Sequence, residues 1–296
     1  KPVKMVRPSR SSRNTYEEIK TPFVTFQKRN PFRYRKLLVM ASELKNIKWE
    51  PFTVNKNDVI NCNYGKRTDV HQTKIIAIIP TYSHSVRIDL ASQVKQNVMT
   101  KWINALTDEG AGVILMEGID NLWTLSNWAR SGKDGFNWLT NRIKAVVQES
   151  ISRKFTEDDK IIVMGTSRHG YASMHALANI PSLAGAIALM PIVWWPNLEE
   201  FLGMEENHIV KQNELSRWVD NFPPRPLLVQ TGYNDKRAGQ KWIMRLLEQI
   251  SQSYRRNQMD GRFTHELMSI RGHGGERLPE ESIYRIIPWL SEQQLL

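Results

Sequence analysis

The stretch Ile161-Ile162-Val163-Met164-Gly165-Thr166-Ser167-Arg168-His169-Gly170-Tyr171 decides how the rest of the chain is read. Four consecutive apolar residues fit a strand buried on both faces. Gly165 and Thr166 make a small-residue turn, after which Ala172, Met174, His175, Ala176, Leu177 and Ala178 continue as a buried helix. A strand that turns sharply into a helix at a serine pushes the hydroxyl outward. It also points the next backbone N–H and the positive end of the helix at the place where negative charge would develop. Ser167 is therefore a candidate nucleophile. The motif is short and built of common turn residues, so its weight comes from its surroundings.

Working outward, the chain alternates apolar runs with helical patterns. Residues 48–54 and 59–64 read as an antiparallel hairpin, and 74–80 as a doubly buried strand. A helix over 90–107, a strand over 112–116 and a helix over 136–153 lead up to the serine turn. Beyond its helix come strands at 184–190, 226–231 and 263–270, with helices at 239–257 and 280–293. Strands and helices alternating at this spacing predict an α/β domain over 37–296, a mostly parallel sheet with helices on both faces. Residues 193–225 break the alternation with mixed polar and aromatic content, and are expected to form a small lid or cap.

The chain of 296 residues is 41% hydrophobic, enough for a substantial core, and carries a net charge of +11. That charge is concentrated: residues 1–36 hold eleven Lys or Arg against Glu17 and Glu18, and the rest is close to neutral. The pattern is a basic arm on a neutral body. It suits contact with an anionic surface or polymer and does not specify a nucleic acid. Cys62 is the single cysteine, which excludes an intrachain disulfide and any cysteine-built zinc cluster. No stretch of 18 apolar residues occurs, so a soluble protein is expected; a start at Lys1 is compatible with a processed or exported form. The compartment and the oligomeric state are left open.

A serine hydroxyl is a poor nucleophile near neutral pH and needs an imidazole to take its proton, usually steadied by a carboxylate. Two glycine-rich loops after C-terminal strands offer these groups: Gly232-Tyr233-Asn234-Asp235 and Arg271-Gly272-His273-Gly274-Gly275. The order Ser167, Asp235, His273 differs from the chymotrypsin and subtilisin orders and agrees with that of α/β-hydrolases.

With these loops and Gly165-Thr166-Ser167-Arg168-His169-Gly170-Tyr171 at the elbow, residues 74–293 resemble the α/β-hydrolase superfamily. Within it they resemble the branch of prolyl oligopeptidases and dienelactone hydrolases. The resemblance implies Ser167 as nucleophile, His273 as base and Asp235 as the residue that orients it; no cluster of His, Asp and Glu has metal-site spacing, so no metal and no cofactor are expected. His169 stands where the branch has glycine, a position expected to approach the neighbouring strand closely, so the turn is expected to open slightly. Glucuronoyl esterases are similar at the elbow, with Tyr171 in place of their lysine. The backbone N–H of Arg168 is implied as one oxyanion donor, with its side chain as a further candidate. Tyr82, after strand 74–80, is the other, with Thr81 as its rival. His84, His169, Trp194 and Trp195 are candidate substrate contacts; for the tryptophans, including Trp123 and Trp128, ordinary packing is an equal reading.

Hydrolysis of a carboxylic ester, of a small molecule or a carbohydrate, is the expected activity. The alternatives are a peptidase or amidase of prolyl oligopeptidase type and a binding protein on a hydrolase scaffold.

Overall fold

In the computed structural model, Ile161–Thr166 is the fifth strand of an eight-stranded sheet in the order β1-β2-β4-β3-β5-β6-β7-β8. Residues 46–55, 59–81, 97–119, 121–156, 160–233, 235–268 and 281–296 are described. The basic arm, Tyr82, His84 and His273 lie outside them. The strands are β1 (Ile47–Asn55), β2 (Val59–Arg67), β3 (Ile76–Thr81), β4 (Gly112–Glu117), β5 (Ile161–Thr166), β6 (Gly185–Leu189), β7 (Leu227–Gly232) and β8 (Phe263–Met268). The described helices are α1 (Asn97–Asp108), α2 (Leu122–Arg130), α3 (Gly135–Ser152), α4 (Arg168–Asn179), α5 (His208–Gln212), α6 (Gln240–Arg256) and α7 (Glu281–Glu292).

The pairing follows the hydrophobic pattern. β1 and β2 form the antiparallel hairpin, and β2 also runs antiparallel to β4; the remaining pairs are parallel. Each central strand feeds two cores in alternation, because successive side chains point to opposite faces. Ile76, Ile78, Val163, Ala186 and Val229 join one core with α2, α3, α4 and α6. Ala77, Ile79, Ile162, Met164, Ile187 and Leu228 join the other with α1 and α7. Every one of these residues is almost inaccessible to solvent, and each buried branched aliphatic contributes about 1.5–3 kcal/mol.

α2 was not expected from the sequence. Its nine residues are apolar at Leu122, Trp123, Leu125, Trp128 and Ala129, with Trp123 turned outward, and so short a run does not stand out. Its start is nevertheless well marked, since Asn121 caps it by accepting from the Thr124 N–H at 2.8 Å. Residues 193–225 fold into α5 and short 3-10 turns, with Trp195, Leu198, Phe201, Ile209, Leu215 and Phe222 in the larger core.

Candidate active site

Ser167 sits between β5 and α4 with φ 59° and ψ −123°, a conformation that L-residues avoid. Holding it costs about 1–3 kcal/mol, which the surrounding hydrogen bonds must offset. The Ser167 N–H donates to the Leu189 carbonyl at 2.9 Å, while the Ser167 carbonyl accepts from Tyr171 at 3.1 Å and Ile192 at 3.3 Å. Small residues make the turn fit. A Cβ on Gly165 would lie 2.3 Å from the His169 carbonyl oxygen, and one on Gly170 would lie 3.0 Å from the Leu189 oxygen.

The close approach to the neighbouring strand therefore falls on Gly170, and the expectation that it falls on position 169 is corrected. The turn does not have to open for His169 either, because Gly118, in the loop after β4, makes the room. A Cβ on Gly118 would lie 2.5 Å from His169 Nε2 and 2.5 Å from the Thr81 oxygen. His169 is buried, and its Nε2 accepts from the Ile119 N–H at 3.4 Å, so a ring proton belongs on Nδ1. On the other side of the same residue, Arg168 Nε donates to the Ile119 carbonyl at 2.9 Å. The first two residues of α4 thus grip both polar groups of Ile119. Arg168 is also the first residue of the helix, so its N–H is one of those that intrahelical carbonyls do not reach.

Asp235 comes three residues after β7 and is 1% exposed. Its Oδ1 accepts from the Ala238 N–H at 2.9 Å, and its carbonyl accepts from Gly239 at 3.1 Å. β5 and β7 flank β6 in parallel, so the strand ends that lead into Ser167 and Asp235 lie at the same end of the sheet, about 10 Å apart across two strand spacings. β8 ends level with β7, Met268 facing Gly232, so the chain also leaves β8 at this end. His273 follows Met268 by five positions in the sequence. Thr81 ends β3 with its hydroxyl donating to the Met116 carbonyl at 3.1 Å and its own carbonyl accepting from Gly118 at 2.7 Å.

The paired tryptophans part company. Trp195 is 1% exposed and lies edge-on to Phe136 and Tyr171, both at 4.9 Å. With Ile119, Arg168 and Ala172 these rings close a cavity of about 10 Å³, room for roughly one water. Trp194 instead stacks on Trp242 at 4.4 Å. Tyr171 is buried and donates to the Asn213 carbonyl at 2.5 Å; burial pushes its phenol well above the ordinary range. Trp128 packs edge-on to Trp138 at 5.1 Å, and Trp123 is half exposed on α2. Gly118 and Ile119 were not singled out from the sequence. Their only signal was a glycine directly after an apolar strand.

Among the described residues no group of three His, Cys, Asp or Glu could hold a metal ion, and no helix is long and apolar enough to cross a membrane. Cys62 is buried in β2, where desolvation pushes its thiol up to about 12.

No family model and no curated protein matches the chain in sequence. Solved structures do match. A zinc-bound, cold-adapted esterase from an Arctic intertidal metagenomic library aligns with a TM-score of 0.59 and 10% identity, over 85% of this chain and 95% of that one. Oligopeptidase B from Leishmania major aligns at 0.61 and 13%, over 84% of this chain and 37% of that one. A glucuronoyl esterase from Teredinibacter turnerae aligns at 0.54 and 13%, over 88% and 84%. At such identities the likeness speaks for architecture, and it agrees with the strand order and with the strained serine between β5 and α4: the chain has the α/β-hydrolase fold.

Proposed function

We propose that the chain is a serine hydrolase that cleaves a carboxylic ester through an acyl-enzyme. The observation that carries this reading is Ser167 held at φ 59° on the strand-to-helix turn, with the buried Asp235 at the same end of the sheet across β6. Nothing in packing alone requires a serine in such a conformation.

In the proposed reaction His273 takes the Ser167 Oγ proton as Oγ bonds to the ester carbonyl carbon, and Asp235 orients the imidazole. The oxyanion is met by the N–H of Arg168 and by Tyr82. Collapse breaks the bond to the alkoxide, which leaves with the proton from His273. Water then attacks the acyl-enzyme by the same route, releasing the acid and restoring Ser167.

Ser167→Ala is expected to lower turnover of p-nitrophenyl acetate by about 10³-fold or more while leaving thermal unfolding cooperative. Retention of full activity in that variant would sink the assignment. A peptidase reading draws support from the likeness to oligopeptidase B, of whose length this chain spans 37%. Turnover of aminoacyl anilides with little ester hydrolysis would favour it, and absence of a fluorophosphonate adduct on Ser167 would favour a binding protein.

A further inference from the structure

We infer that the groove between Trp194 and α6 is a subsite for a neutral sugar ring, bordered by the chain segments that lead away from the Ser167 and Asp235 turns. It holds about 270 Å³, enough for one pyranose unit, and is lined by Val193, Trp194, Glu214, Leu215, Trp242 and Arg245, with Ser216 and Gln249 at its edge.

Its position follows from the backbone. The Ile192 N–H donates to the Ser167 carbonyl at 3.3 Å, and Trp194 is two residues further on. Two residues of extended chain reach about 7 Å, so Trp194 starts within a short span of the elbow. Trp242 is the third residue of α6, the helix that follows the Asp235 loop. The two loops are tied together, since Asn197 Nδ2 donates to the Lys236 carbonyl at 2.9 Å and the Arg237 carbonyl at 3.3 Å. The groove is therefore bordered by the chain that follows β6, which is bonded to the Ser167 carbonyl, and by the helix that follows the Asp235 loop.

The chemistry selects the occupant. Trp194 and Trp242 stack at 4.4 Å with 20° between their planes, both half-buried, giving a rigid aromatic wall. Stacking uses one face of each ring, and Lys241 Nζ lies 6.0 Å over the Trp242 ring. The electron-rich surface offered to the polarised C–H groups of a pyranose is therefore the part of Trp194 left uncovered, while Val193, Leu215 and Leu246 supply an apolar floor. Glu214, Ser216, Arg245 and Gln249 form a polar rim, and among the described residues their side chains make no hydrogen bond or ion pair. Their donors and acceptors remain to be used by hydroxyl groups. The rim carries one carboxylate and one guanidinium, so a charged ligand would gain from one and lose to the other, whereas the hydroxyl groups of a neutral polyol can donate to Glu214 and accept from Arg245. An acyl chain would leave the rim without partners.

As part of a substrate this subsite rests on the hydrolase reading, but sugar binding itself does not, and the test separates the two. Wild type and Ser167→Ala are titrated by calorimetry with methyl β-xylopyranoside and methyl β-glucopyranoside. Saturable, equal affinity in the two proteins is expected. Trp242→Ala should weaken it at least tenfold, and Glu214→Gln and Arg245→Met, at rim positions outside the core, several-fold each. No saturation in wild type, affinity unchanged in all three groove variants, or tighter binding of the charged methyl β-glucuronoside would overturn the inference. Saturable sugar binding by a wild type that hydrolyses no ester would leave the groove standing and remove the hydrolase reading; ester turnover with no sugar binding would do the reverse.

Discussion

Ser167 and His169 show how one residue's shape is set by another far away in sequence. The strained serine was legible because strand, small turn and helix follow each other within eleven residues. The partnership of His169 with Gly118 was not, since complementary shape across 51 positions leaves no periodicity to read. It makes a definite prediction. Gly118→Ala would place a carbon 2.5 Å from both His169 Nε2 and the Thr81 carbonyl oxygen. It should lower stability by about 1–3 kcal/mol in denaturant unfolding. Adding His169→Ala should recover only part of the loss, because the backbone oxygen of Thr81 stays in place; full recovery would show that the ring alone sets the clash.

Among the elements, α3 is the one on which the irregular segment 193–225 is hung. Asp134, its N-cap, accepts from the Phe136 and Asn137 N–H groups at 3.1 and 3.0 Å and from Asn137 Nδ2 at 2.7 Å. The same carboxylate accepts from Gln212 Nε2 at 2.7 Å, at the last residue of α5, and from Asn213 Nδ2 at 3.0 Å, its C-cap. Asp134→Ala removes a helix cap and leaves the buried Asn213 side chain one contact short, at a combined cost of about 2–3 kcal/mol. A fall in the denaturant midpoint at unchanged slope is the expected result; an unchanged midpoint would show that α3 and α5 are held by apolar packing alone. The central strands were readable from the sequence because burial on both faces writes continuous apolar runs. The segment 193–225 resisted because its order comes from side-chain hydrogen bonds and scattered aromatics, which have no repeat.

For the whole molecule, one buried group couples stability to acidity. His175, fully buried on α4, shares a 2.7 Å hydrogen bond between Nδ1 and Thr140 Oγ1 and stacks on Tyr171 at 5.6 Å. Desolvation drives its pKa down from 6.5 to about 4, against a weaker upward pull from Asp134 and Asn213. The unfolded chain takes a proton on this ring near pH 6.5, while the native state takes it only near 4. Stability from this group is therefore full above about 6.5 and is lost as pH falls through that window, by on the order of 3 kcal/mol in all. His175→Gln should flatten the dependence of the melting temperature on pH between 6.5 and 4; an equally steep dependence would assign the acid response to other groups. The same interior also fixes the working end of the sheet. Because the Ser167 N–H is spent on Leu189, and the Ser167 carbonyl on Ile192 and Tyr171, the turn has no private way to relax. Its stored torsion is held by bonds that cross to β6 and to the chain beyond it, so the conformation of Ser167 is coupled to the pairing of β5 with β6.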